Sequence, residues 1–237
     1  MRLLLLQIRD VGTVRREEYD SFLRYCRLAE DELDVLNVFD TPEFGPEVLE
    51  GYDALLVGGA SEASVLEPET YTGVPYSIEL LRHCIEIDFP VFASCFGFQL
   101  AVLALGGEII RDEKDFEMGT IHISLTPAAR DDLMFYDVPD GFPAVAVHRE
   151  RAPVCPDGVT ELAFTDACCH AFKVNDKPFW AFQFHPEVDR ATLVSRLTVY
   201  KATYTGGDDH LSEVLENAVE TPESNALMGN FVDRVVR

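Results

Sequence analysis

Short apolar runs alternate with helical periodicity through the first hundred residues, and that alternation leaves few folds open. Leu3–Ile8 is a continuous apolar run, and Glu17–Glu32 follows with Phe22, Leu23, Tyr25, Cys26 and Leu28 along one helical stripe. Val35–Phe39 is again strand-like, the loop Thr41-Pro-Glu-Phe-Gly-Pro46 interrupts the chain, and Asp53–Val57 runs into Gly58-Gly59. Tyr76–Ile87 then reads as helix, Val91–Cys95 as strand, and Phe96–Leu105 as a helix stopped by Gly106-Gly107. Parallel strands need long crossovers, so this order predicts an α/β fold: a mostly parallel central sheet with helices on both faces.

From Gly119 onward the connections shorten. Ile121–Thr126, Ala144–His148, Leu162–Thr165, Ala171–Val174 and Phe179–Phe184 are strand-like, which predicts antiparallel additions in the second half. Ala191–Tyr204, Leu211–Val219 and Ala226–Val236 read as helices, with a break at Gly206-Gly207-Asp208-Asp209. The chain therefore divides into a main domain at 1–190 and a C-terminal helical extension at 191–237 packed on it.

A chain of 237 residues buries one substantial core. No apolar run approaches the roughly 18–20 residues that span a bilayer. The opening run ends at Arg9-Asp10 without a small-residue cleavage site, so it reads as a buried strand of a cytoplasmic protein. The formal charge of −23 is spread along the chain, and lysine occurs only at Lys114, Lys173, Lys177 and Lys201. Such a surface suits a high-salt cytoplasm, where screening shrinks to about 3 Å at 1 M salt. It has no basic stripe, which argues against a nucleic-acid partner.

Six cysteines (Cys26, Cys84, Cys95, Cys155, Cys168 and Cys169) in a chain of this size with no secretory signal predict free thiols. Cys168-Cys169-His170 hints at metal binding. No second ligand pair stands at zinc-site spacing, however, and adjacent ligands suit a tetrahedron poorly, so a strand with one buried thiol is expected and no metal is called for.

The chemistry converges on one corner. In Ala93-Ser-Cys95-Phe-Gly97, small residues flank a cysteine where a strand turns into a helix. A strained corner of this kind exposes the sulfur and aims a helix N-terminus at it, which favours thiolate. A buried cysteine at a strand end is the equally good structural reading. Phe182-Gln-Phe-His185-Pro-Glu187 supplies an imidazole and, two positions on, a carboxylate that can hold its second nitrogen.

Cys95-Phe-Gly97-Phe-Gln99 followed by Gln183-Phe-His185-Pro-Glu187 resembles the class I glutamine amidotransferases. Leu55-Leu-Val-Gly58-Gly59, Gly106-Gly107-Glu-Ile-Ile110, Glu117-Met-Gly119 and His148-Arg-Glu150 resemble further family segments in the family's order, so the likeness covers roughly residues 1–190. It implies a flavodoxin-like fold and a Cys95–His185–Glu187 triad. The backbone N–H groups of Gly59 and Phe96 would form the oxyanion hole, and Gln99 would hold substrate, unless its amide serves local backbone instead. His148 fits a glutamine-pocket role and a folding role equally. Three positions depart from the family: Ala93 replaces a glycine, Phe98 a histidine, and Ala60-Ser-Glu-Ala-Ser64-Val65 lacks the usual proline.

The resemblance implies hydrolysis of the glutamine side-chain amide through a cysteinyl thioester, with no cofactor. The sequence contains no Gly-x-x-x-x-Gly-Lys-Ser/Thr loop, so the protein is expected either to donate ammonia to a separate ATP-dependent synthetase subunit or to hydrolyse a glutamine-like substrate by itself. A γ-glutamyl peptide hydrolase with the same triad is the alternative enzyme. A non-catalytic regulatory or binding subunit is the alternative from another class.

Overall fold

The computed structural model describes residues 1–112, 116–199 and 214–237. In the first half, β1 (Leu3–Gln7), α1 (Gly12–Cys26), β2 (Leu33–Asn37), β3 (Ala54–Val57), α2 (Gly73–Glu86), β4 (Val91–Ser94) and α3 (Phe96–Ala104) follow the expected alternation. The second half adds β5 (Ile110–Arg111), β6 (Glu117–Leu125), β7 (Phe142–His148), β8 (Glu150–Arg151), β9 (Val159–Phe164), β10 (Cys169–Val174) and β11 (Phe179–Phe182). Two helices close the described chain, α4 (Arg190–Val199) and α5 (Pro222–Phe231). The expected break at 206–209, the end of the helix at Tyr204 and the start of the one at Leu211 lie outside the described residues.

Nine strands form one sheet in the order β2-β1-β3-β4-β11-β10-β9-β6-β7. Five are parallel, β2 through β11 in that order, and the remaining pairings are antiparallel. This is the mixed α/β sheet expected from the sequence. Side chains alternate across a strand, so β1 feeds two cores. Leu4 and Leu6 pack with α2 and α3 residues such as Leu81 and Phe98 on one face. Leu3 and Leu5 pack with Phe22 of α1 and with Leu227, Met228 and Phe231 of α5 on the other. A sheet covered on both sides needs continuous apolar strands, which is what Leu3–Leu6 and Ala54–Val57 supply.

The helix expected at 17–32 is displaced: α1 starts at Gly12 and ends at Cys26. Arg27 takes φ 56° and caps the helix in the left-handed conformation, with the Leu28 N–H donating to the Leu23 carbonyl at 3.0 Å. The sequence offers no glycine there, so periodicity alone ran past the true end.

The expectation of six free thiols needs correction, because Cys155 and Cys169 form a disulfide. Cys169 points into the core on the α3 side, where Cys155 lies, while Cys168 and His170 both reach Glu117, and the ladder to β9 shifts register at this point. Cys26, Cys84, Cys95 and Cys168 are free and buried. Among the described residues, no helix is long and apolar enough to cross a membrane.

Candidate active site

Two neighbouring parallel strands bring the motif residues together. β4 and β11 pair in register from Val91↔Phe179 to Ser94↔Phe182, so both chains leave the sheet at the same edge. Cys95 follows Ser94 directly, and Gln183 to His185 follow Phe182. The expected strand through Phe184 ends two residues early, which frees His185 to turn over the sheet rim. Carboxyl ends of parallel strands are where α/β folds place their ligand sites.

Cys95 sits at the corner with φ 50° and ψ −95°, a conformation that costs a non-glycine residue on the order of 1–3 kcal/mol. Surrounding bonds hold it there: its N–H donates to the Phe182 carbonyl at 2.6 Å, and its carbonyl accepts from the Gln99 N–H at 3.1 Å. Gly97 lets α3 lie against β3, since a Cβ there would meet Val57 side-chain atoms at 2.9 Å. Ala93 is fully buried between Val57 and Ala181, so a methyl group fits where the family usually has glycine.

His185 Nδ1 and Glu187 Oε1 are 2.7 Å apart, and the Ser94 hydroxyl donates to Glu187 Oε2 at 2.6 Å. Arg196 of α4 places Nη1 3.7 Å from Glu187 Oε1 and binds Glu17 at 2.9 Å. Burial pushes the Glu187 pKa up, but the charge and hydrogen bond of His185, with Arg196 and Ser94, bring it down to about 2. Burial also works against a charged His185. The negative charge of a Cys95 thiolate and of Glu187 outweighs it and raises the imidazole to about 9. Its surroundings therefore favour the imidazolium form of His185.

The cleft beside Cys95 is lined by Ser61, Phe96, Gln99, His148 and Glu150. Gly59 lies against the imidazole: a Cβ there would stand 2.8 Å from His185 Cε1 and 3.0 Å from Arg9 Nη2. Phe96 opens α3, so its N–H belongs to the first turn, whose amides have no intrahelical acceptor. The Gln99 amide nitrogen donates to the Glu150 carbonyl at 2.8 Å, which is the backbone role set against substrate binding. His148 lines the cleft, and its ring stands 3.2 Å from Glu117 Oε2 and 5.6 Å, centroid to centroid, from that of His170.

Sequence reasoning missed four supports. Arg9 and Glu18 form a fully buried ion pair at 2.9 Å, and Arg9 also donates to Ser61 Oγ at 2.9 Å, so a fixed cation underlies the diglycine loop. Arg9 had looked like the polar end of an apolar run. Ser94 was in view beside Cys95, but only strand pairing aims its hydroxyl at Glu187. Arg196 belongs to a segment without a motif, and no local signal marks it. Glu150 accepts from Ser64 Oγ at 2.6 Å and lies 3.5 Å from Arg111, so opposite charges meet at the cleft.

The chain is similar to known proteins in sequence and in fold. Residues 25–197 match the family described as glutamine amidotransferase class-I. The chain is 34% identical over 117 residues to a glutamine-hydrolyzing GMP synthase subunit from Methanocaldococcus jannaschii, covering 47% of this chain and 60% of that protein. It is 29% identical over 152 residues to the GMP synthase of Thermotoga maritima, covering 64% of this chain and 26% of that one. The matched region thus spans less than two thirds of each relative.

Among solved structures, a glutamine amidotransferase from Thermotoga maritima superposes with a TM-score of 0.78 at 20% identity, covering 100% of this chain and 98% of the other. One from Methylobacillus flagellatus gives 0.75 at 18% identity, covering 98% and 92%. At such identities these two establish the shared fold, and the match across residues 25–197 establishes the lineage. The chain belongs to the class I glutamine amidotransferase family.

Proposed function

We propose that the chain hydrolyses the side-chain amide of glutamine, with Cys95 as nucleophile, His185 as acid and base, and Glu187 as the residue that orients His185. The observation that carries this reading is the strained Cys95 corner at the rim where His185, held through Nδ1 by Glu187, leaves the adjacent strand. With Nδ1 engaged, Nε2 is the nitrogen left for proton transfer. The Cys95 thiolate attacks the amide carbon and forms a C–S bond. The imidazolium gives its proton to the amide nitrogen, the C–N bond breaks, and ammonia leaves. Neutral His185 then takes a proton from water as its oxygen attacks the thioester carbonyl. The C–S bond breaks, releasing glutamate and restoring the thiolate–imidazolium pair.

Both tetrahedral intermediates carry an oxyanion, for which the Gly59 and Phe96 N–H groups are the donors in this reading. One such donor contributes on the order of 10²–10³ in rate. Arg111 and Glu150 at the cleft match the carboxylate and ammonium of a free amino acid, which favours glutamine itself over a larger γ-glutamyl peptide. The relatives named GMP synthase, together with the part of their length that this chain matches, support delivery of ammonia to a separate ATP-dependent synthetase subunit. The same reading keeps 191–237 as an extension of the domain at 1–190, with Arg196 reaching back to Glu187.

The test is release of glutamate and ammonia from glutamine by the purified protein, alone and with a co-purified synthetase. Cys95→Ala is expected to abolish it, and activity surviving that change overturns the assignment. A panel of γ-glutamyl peptides run beside glutamine decides the leaving group. Failure of Cys95 to react with a glutamine-mimicking electrophile would instead favour a non-catalytic role.

A further inference from the structure

The triad mechanism leaves unused a buried cluster of Glu117, His148, Cys168 and His170. Glu117 opens β6 and His148 ends β7, and the two face each other as a cross-strand pair. Cys168 and His170 flank Cys169 where β10 begins, at a register shift of the ladder to β9, and both turn toward Glu117. The disulfide holds Cys169 on the other face, which removes the difficulty that adjacent ligands would pose. What looked in the sequence like a Cys-Cys-His run is therefore a Cys-x-His pair set against a Glu–His pair.

Four donor atoms converge there, all within 4.8 Å of one another. Glu117 Oε2 stands 2.8 Å from His170 Nε2, 3.2 Å from His148 Nε2 and 3.6 Å from Cys168 Sγ. A tetrahedral zinc ion with ordinary bond lengths has ligand–ligand edges of about 3.3 Å between N and O donors and about 3.6 Å between O and S. The separations to His148 and Cys168 match those edges, and the one to His170 is a hydrogen-bond distance that would widen by about half an ångström around the ion.

Hydrogen bonding leaves the cluster incomplete. Among the described residues, His148 has no properly aligned hydrogen bond at either ring nitrogen, although its side chain is only 2% exposed. Buried imidazoles almost always find a partner, and this one is aimed at the point where the other three donors meet.

We propose that Glu117, His148, Cys168 and His170 form a structural zinc site. One thiolate, two neutral imidazoles and one carboxylate are a borderline-soft donor set that suits Zn²⁺ and not Mg²⁺ or Ca²⁺, which take oxygen ligands. Binding displaces the Cys168 proton to solvent. The ion's two positive charges then meet one thiolate and one carboxylate, and the buried site is neutral. Four protein ligands leave no open position, so the ion's task is mechanical. β6 pairs with β9 only at its last residues, Ser124 and Leu125, so the Glu117–His148 end of the β6–β7 hairpin has no ladder to β9. The metal fastens the base of that hairpin to β10, and with it the His148 wall of the cleft. None of this depends on the chemistry assigned to Cys95.

The test uses the full chain with Cys95→Ser, so that the corner thiol cannot compete for metal. Titration with Co²⁺ is expected to saturate at one equivalent with a thiolate-to-cobalt charge-transfer band in the near ultraviolet. Zn²⁺ should displace the cobalt and raise the melting temperature. Cys168→Ser should abolish the band, and His170→Gln should weaken Co²⁺ binding at least about tenfold. Absence of the band, or its survival in Cys168→Ser, overturns the proposal. X-ray absorption of the zinc-loaded Cys95→Ser protein decides even if those variants do not fold. One sulfur at about 2.3 Å with three lighter atoms at about 2.0 Å supports the site, and any other shell refutes it.

Discussion

Replacing Glu187 by glutamine tests whether the carboxylate acts through its charge or only through its shape. Glutamine keeps an acceptor for His185 Nδ1 at the 2.7 Å position, so the ring can stay where it is. What disappears is one of the two negative charges that overcome burial and raise His185 from 6.5 to about 9. A rise of that size is on the order of a few kcal/mol in favour of the imidazolium. Losing one of the two anions should remove a large part of it, so a rate loss on the order of tenfold is expected.

The sign follows from linkage. His185 is raised in the folded state, so its contribution to stability is full below 6.5 and fades as pH rises through about 9. In Glu187→Gln the loss should still start near 6.5, but it should be smaller and be complete at lower pH. The assay is the pH dependence of Cys95 alkylation by iodoacetamide, which reads the thiolate–imidazolium pair without substrate, beside kcat/KM for glutamine. The alkaline transition should move down, and neutral-pH alkylation should slow. An unmoved alkaline transition in a variant of unchanged melting temperature would refute the electrostatic role of Glu187.

Three further outcomes follow from the same geometry. Gly59→Ala puts a methyl group 2.8 Å from His185 Cε1, so kcat/KM should fall on the order of 10²-fold with little change in melting temperature; near-parent kinetics would remove Gly59 from the site. Arg196→Met withdraws a cation 3.7 Å from Glu187, whose depressed pKa stabilises the fold above 4.5 and stops doing so as pH falls toward about 2. Acid unfolding, followed by circular dichroism, should therefore begin at higher pH in this variant, and an identical acid limb would exclude Arg196 as a support. With a formal charge of −23, raising KCl from about 0.1 to 2 M should raise the melting temperature by several degrees, because self-repulsion is screened. A flat or falling response would count against adaptation to high salt.

Much of the architecture was legible because its signals are local. Continuous apolar runs such as Leu3–Leu6 can only be doubly covered strands, and the change at Gly119 from long crossovers to short connections marked where antiparallel pairing begins. Errors fell where the deciding force is not in the pattern. Arg27 ends α1 in a left-handed conformation that a glycine would have announced, and the Cys155–Cys169 bridge needs two segments to meet.

At the site, Cys95, His185 and Glu187 could be read as a set because each lies in a short motif, and their local backbone supplies half of the geometry: a strand corner, and a turn fixed by Pro186. Which atoms meet was decided by tertiary structure. Parallel pairing of β4 with β11 carries Cys95 and His185 to one rim, and Ser94, Arg196 and Arg9 enter from three separate places in the chain. The Glu117–His148–Cys168–His170 cluster is the clearest case. Sequence placed two cysteines and a histidine side by side, but only the register shift at the start of β10 and the closure of the β6–β7 hairpin determine which of them face Glu117. Strand and helix preferences are written over a few residues, whereas donor atoms converge only when distant strands come into register.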